Sequence, residues 1–162
     1  MPIAPGTPAP PFSLPSLDGH PTTLADVTDD GARPAILAFF KTSCPVCQLA
    51  FPVYGELARR LMPNNVAVVA VSQDGPSTAR PWLAERGFDA AALALDDAHD
   101  GYAVSDSYGI RSVPTLVVIE ADGTVGTVSE GWDRDAVNAL AARFGTEPVS
   151  TPADGLPAFK PG

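Results

Sequence analysis

The stretch FFKTSCPVCQLAFP, residues 39–52, holds the only two cysteines of a 162-residue chain. The thiols stand three positions apart around Pro45 and Val46, just after the apolar run Ala35–Phe40. That run has the length and composition of a strand buried on both faces. From Cys44 onward Leu49, Val53, Leu57 and Leu61 recur at steps of four, which predicts a helix over about 44–61. A strand therefore feeds a helix through Lys41, Thr42 and Ser43, and Cys44 takes the helix N-terminus.

That position has chemical consequences. The first turn of a helix carries unpaired N–H groups and a partial positive charge, both of which favour an anion placed there. The thiolate is the nucleophilic form of cysteine, and helix N-termini and C-x-x-C pairs promote it. Pro45 falls where a missing N–H is harmless and a fixed φ suits the first helical turn. Cys47, one turn further on, is the natural resolving thiol. Side chains three apart on a helix share a face, so the two sulfurs can close a small disulfide or attack a mixed one. A purely structural disulfide of this span closes a loop too short to stabilise much. A zinc site needs about four ligands, and His20 and His99 stand apart from other ligands in Asp-Gly-His-Pro and Asp-Ala-His-Asp.

Bulk properties narrow the class. Composition, 45% hydrophobic and 18% charged, fits one compact domain rather than a disordered chain. A formal charge of −9, with no cluster of Lys or Arg, argues against nucleic acid as a partner. No apolar run exceeds six residues, the length of Ala35–Phe40 and Val66–Val71, well short of the roughly 20 that span a bilayer. The first Lys or Arg is Arg33, so no secretory signal pattern is expected at the N-terminus. The sequence as it stands is expected to be cytoplasmic and monomeric; removal of a leader or anchor from an extracytoplasmic protein would leave the same text.

Eleven of the 18 prolines lie in residues 1–21 and 148–161, so both ends read as stiff, extended segments. The expected organisation is a Pro-rich arm over 1–11, a domain over 12–145 and a Pro-rich tail over 146–162. Asp18-Gly19 predicts a hairpin near the start. Further strands are expected at 65–72, 93–95, 115–120 and 124–129, and helices at about 77–86, 101–108 and 134–144. This order gives an α/β sandwich with a central mixed sheet. Trp132 is expected either to line a groove or to cover the core. Leu156, Pro157 and Phe159 either dock on the body or belong to a disordered terminus.

Val113-Pro114-Thr115 opens an apolar strand, where a proline is unusual unless it is cis or at an edge. With this motif the chain resembles the thioredoxin superfamily, in its TlpA-like and AhpC/TSA branch with an N-terminal β extension. The resemblance covers roughly 10–144. It rests on APPFSLPSLDG (9–19), Cys44-Pro-Val-Cys47, Pro52, VAVS (69–72), YGIRSVPT (108–115) and IEADG (119–123), in that order. It implies a thioredoxin-like three-layer sandwich and an N-terminal β-hairpin. It implies a cis Pro114 beside a redox-active Cys44–Cys47 disulfide, with no other cofactor and no metal. Val113 would pair with an extended substrate segment by strand addition, with Ser43 and Pro45 flanking it, and Pro52 would kink the active-site helix.

Departures from the family pattern are as informative. Ser43 stands where Trp usually precedes the first cysteine. Ala38 replaces the buried acid of thioredoxins, and Ala50 replaces the Glu often carried by TlpA-like proteins. Both customary proton acceptors are absent. Lys41 and Arg111 are the candidate modulators through charge, unless both are solvated surface cations.

The function expected is thiol-disulfide oxidoreductase, exchanging electrons with protein or small-molecule disulfides and with an external reductant or oxidant. A peroxiredoxin-like peroxidase is the alternative. Peroxiredoxins carry Thr or Ser three residues before the peroxidatic cysteine, whereas Lys41 and Cys44 hold those positions here. A copper chaperone using Cys44, Cys47 and His99 is a third reading.

Overall fold

The computed structural model describes residues 1–96, 99 and 101–162. Near the start, β1 (Ser13–Pro15) and β2 (Pro21–Thr23) pair antiparallel around Asp18-Gly19. Gly19 has φ +84°, and the Asp18 side chain accepts the His20 N–H at 3.0 Å, which closes the turn. A four-residue helix, α1 (Leu24–Val27), follows behind a reciprocal cap between Thr23 and Asp26.

Five strands make the central sheet: β3 (Ala35–Phe40), β4 (Ala67–Ser72), β5 (Leu93–Leu95), β6 (Thr115–Ile119) and β7 (Val125–Glu130). Their order is β5-β4-β3-β6-β7. The pairs β3–β4 and β4–β5 are parallel, whereas β3–β6 and β6–β7 are antiparallel. A crossover through α2 (Pro45–Leu61) joins β3 to β4, and α3 (Pro76–Glu85) leads towards β5. The β6–β7 hairpin turns at Asp122-Gly123, the tight turn that the sequence predicts. The mixed α/β sandwich expected from the order of elements is the fold observed.

Alternation along the central strands sorts the core into two layers. Ile36, Ala38 and Phe40, with Val68, Ala70, Leu116 and Val118, face the side packed by α2, α3 and α5 (Arg134–Arg143). Ala35, Leu37 and Phe39, with Val69, Val71, Val117 and Ile119, face the other side. There they meet Val27 of α1, Val104 of α4 (Ala103–Ser107), Tyr108, and Ala9 and Phe12 of the N-terminal segment. Period-2 alternation with both faces apolar is why β3 reads as a continuous hydrophobic run. The loop expected over Asp96–Asp100 cannot be described at Asp97, Ala98 and Asp100, which lie outside the described residues.

The proline-rich ends are ordered against this body. Ile3 N–H donates to the Tyr108 carbonyl and Gly6 N–H to that of Val125. At the other end β8 (Trp132–Asp133) pairs antiparallel with β9 (Phe159–Lys160). Arg134, almost fully buried, donates to Ser150 Oγ at 3.0 Å, to Asp154 at 3.1 Å and to the Leu156 carbonyl at 2.7 Å. The docked alternative therefore holds for the tail, and its reason is this buried guanidinium, which satisfies carbonyl and carboxylate oxygens that proline-rich chain cannot pair internally. Among the described residues no helix is long and apolar enough to cross a membrane.

Candidate active site

Cys44 caps the N-terminus of α2 in extended conformation, with φ −80° and ψ 117°. Its Sγ accepts the Cys47 backbone N–H at 3.3 Å, one of the orphan donors of the first turn. The thiol itself donates to the Val113 carbonyl oxygen at 3.2 Å. Cys44 is half-buried and reachable from solvent, whereas Cys47 is completely buried, and both thiols are free. Pro45 occupies the first helical position with its ring exposed, and Ser43 is exposed in the preceding loop.

The Val113–Pro114 peptide bond is cis. Thr115 Oγ1 donates to the Ser112 carbonyl at 2.8 Å and Gly131 N–H to that of Pro114, which fixes the turn on both sides. This loop enters β6, the strand paired with β3, and β3 feeds the cysteine helix. Sheet register therefore delivers Val113 to Cys44 across 69 residues of chain.

Beneath the cysteines the surroundings are apolar. Cys47 shares its cluster with Ala38, Ala50, Phe51 and Tyr54, each at most 1% exposed. Desolvation pushes the Cys47 thiol well above its ordinary range, and the nearby Cys44 and Asp74 raise it further; only a hydrogen bond from the Lys41 backbone acts in the other direction. Lys41 thus reaches Cys47 through its main chain, and its carbonyl accepts the Cys44 N–H at 3.1 Å. The Arg111 side chain is exposed at the start of the cis-proline turn. Pro52 lies inside α2 on its exposed side.

Two groups escaped the reading of the sequence. Asp74, after β4, accepts the Thr42 N–H at 2.7 Å and is held by Ser72, whose hydroxyl accepts the Asp74 N–H at 2.9 Å. It anchors the loop that presents Cys44. Its signal was Ser72-Gln-Asp-Gly75 at the end of a parallel strand, where α/β sheets gather functional groups. Tyr54, two helical turns beyond Cys47, buries its hydroxyl without a partner among the described residues. Trp132 is fully buried, packs 6.3 Å from the Tyr54 ring and donates through Nε1 to the Pro157 carbonyl. Of its two expected roles it takes the core. Among the described residues no group of three or more His, Cys, Asp or Glu side chains is placed to hold a metal ion.

The sequence profile of the AhpC/TSA family matches residues 5–128, most of the chain. The chain belongs to the AhpC/TSA family. Within it this AhpC/TSA protein is a TlpA-like member of the thioredoxin superfamily. It is 30% identical over 139 residues to methylamine utilization protein MauD of Methylobacillus flagellatus, covering 83% of this chain and 62% of that one. It is 30% identical over 129 residues to thiol-disulfide oxidoreductase ResA of Geobacillus kaustophilus, covering 80% and 71%. The chain thus spans about two thirds of the length of these curated relatives. Among solved structures, a protein described as thiol:disulfide interchange protein DsbE from Chlorobium tepidum superimposes with a TM-score of 0.74 at 26% identity, covering 87% of this chain and 95% of that one.

Proposed function

We propose that this AhpC/TSA protein is a thiol-disulfide oxidoreductase whose working pair is Cys44 and Cys47. The observation that carries the reading is the seat of Cys44. Its sulfur accepts an N–H of the helix it caps, lies 3.2 Å from the Val113 carbonyl and stays reachable, while its partner three residues on is sealed in the core. The relatives named for disulfide chemistry support the same reading.

In the reductive direction the Cys44 thiolate attacks one sulfur of a substrate disulfide. A new S–S bond forms to Cys44, the substrate S–S bond breaks, and the leaving half departs as a thiolate that takes up a proton. Cys47 then loses its proton and attacks Cys44 Sγ, releasing the second half as a thiol and leaving the Cys44–Cys47 disulfide. Two electrons pass from the pair to the substrate. An external dithiol returns them; with an oxidant as partner the sequence runs backward. Substrates are protein or low-molecular-weight disulfides, and extended ones pair with the backbone at Val113. The pair needs no further cofactor, and one chain suffices for the cycle. Working direction follows from the potential of the pair measured against glutathione.

Reduction of insulin by dithiothreitol, followed by turbidity, tests the proposal. Catalysis by the wild-type chain, abolished in Cys44→Ser, is expected. Absence of catalysis together with rapid consumption of hydrogen peroxide would replace the reading with a peroxidase.

A further inference from the structure

Residues 157–162 lie beside the site. Beyond Pro157, whose carbonyl accepts Trp132 Nε1 at 2.7 Å, Phe159–Lys160 forms the two-residue strand β9 on Trp132–Asp133. Pro161 and Gly162 then pass over Gly131 towards the cis-proline loop. A Cβ on Gly131 would stand 2.6 Å from the Lys160 carbonyl oxygen, and one on Gly162 would stand 2.5 Å from the Val113 carbonyl oxygen and 3.2 Å from Ser112 Oγ. No ordinary side chain fits at either contact. The Val113 oxygen that Gly162 touches is the one that accepts the Cys44 thiol. One carbonyl thus meets both the sulfur and the end of the strap.

The strap is lightly held. Residues 157–162 are exposed, and Phe159 leaves 57% of its surface to solvent. Firm anchoring stops just upstream, at Ser150, Asp154 and Leu156 on the Arg134 side chain, at Pro157 on Trp132 and at the Ala158 carbonyl, which accepts the Arg134 N–H at 3.0 Å. A two-residue strand on an edge adds little to stability, so the last residues can lift without opening the core.

We propose that Phe159–Gly162 is a specificity element, occupying the place where an extended substrate would lie against Val113. The proposal rests on the oxidoreductase reading above. Small disulfides reach the half-exposed Cys44 sulfur past the strap. A peptide disulfide that adds as a strand at Val113 first displaces it, and its apparent affinity falls by the fraction of molecules with the strap lifted. The strap therefore favours small disulfides over peptide disulfides that bind as an extended strand.

The test compares kcat/KM for insulin and for bis(2-hydroxyethyl) disulfide in the full chain, in a chain ending at Lys160, and in Gly162→Val. Truncation removes the Gly162 contact but leaves β9. The valine substitution keeps the strap at full length but drives it off the Val113 carbonyl. Both changes are expected to raise kcat/KM for insulin about fivefold or more, with the small disulfide held within about twofold. An unchanged ratio in both variants, or equal changes for the two substrates, would overturn the proposal. Failure of the full chain to turn over either disulfide is a separate result, and would remove the oxidoreductase reading itself.

Discussion

The Cys44 thiol and the Val113 carbonyl oxygen meet at 3.2 Å. The contact joins the start of α2 to the loop before β6 and so depends on the register of the β3–β6 pair, where Phe39 faces Thr115. The same contact gives the thiol a direction. As a thiol it points its proton at Val113; as a thiolate it retains the Cys47 N–H. In the proposed cycle a substrate strand lying along Val113 would bring its own sulfur to the same spot.

The buried thiol of Cys47 makes stability depend on pH. Its folded-state pKa is raised above the ordinary 9.0 by burial, so the folded protein keeps a proton that the unfolded chain releases. The contribution is full below about pH 9 and is lost as pH rises beyond it, with a slope of up to about 1.4 kcal/mol per pH unit for one group. Burial of Tyr54 and Tyr108 acts in the same sense from a higher starting point. Urea unfolding of the reduced protein between pH 8 and 10.5 is expected to show this decline, and Cys47→Ala to flatten its first part.

Ala50→Glu restores an acid beside Cys47. Ala50 is fully buried in the apolar cluster that holds Cys47, so the new carboxyl is desolvated and lowers stability by roughly 2–4 kcal/mol. Stopped-flow measurement of the release of a Cys44 mixed disulfide is expected to be faster than wild type at pH 7. A slower release would show that the apolar setting itself serves the step.

Asp74 separates a structural from an electrostatic role. Asp74→Ala strips the Thr42 N–H of its acceptor and is expected to cost about 1–2 kcal/mol in thermal unfolding. Asp74→Asn keeps an acceptor and removes a charge that adds a little to the rise that burial imposes on the Cys47 thiol. It is expected to keep most of the stability and to move the pH dependence of mixed-disulfide release to lower pH.

Arg134→Met cuts three hydrogen bonds to the tail, at Ser150, Asp154 and Leu156. The expected loss is about 2–3 kcal/mol, since the carboxylate and carbonyl are left without their donor. Limited proteolysis is expected to remove residues beyond about 150 from the variant while the wild-type tail persists.

Much of this could be read from the chain because the relevant signals are local. Ala35–Phe40 is apolar at every position, the α2 periodicity runs unbroken from Leu49 to Leu61, and Asp18-Gly19 and Asp122-Gly123 mark their turns. The C-x-x-C spacing and Val113-Pro114 mark the two sides of the candidate site within short stretches of sequence. What stayed hidden depends on long-range placement. Asp74 is 32 residues from Thr42 in sequence, and its local signal, a place at the end of a parallel strand, does not name the cysteine loop as its partner. Lys41 drew notice for its charge, yet its backbone is what touches the chemistry. The tail looked like a proline-rich terminus because its partners, Arg134 and Trp132, lie in another element, and the glycine contacts with Val113 and Lys160 leave no trace in composition.

The most direct test of the assigned roles is trapping. Cys47→Ser, incubated with a disulfide-bonded peptide and analysed by mass spectrometry without reductant, is expected to accumulate a stable adduct on Cys44, while Cys44→Ser accumulates none. An adduct on Cys47 in Cys44→Ser, forming as fast as the other, would mean that the buried thiol is the one substrates reach, and would contradict the account.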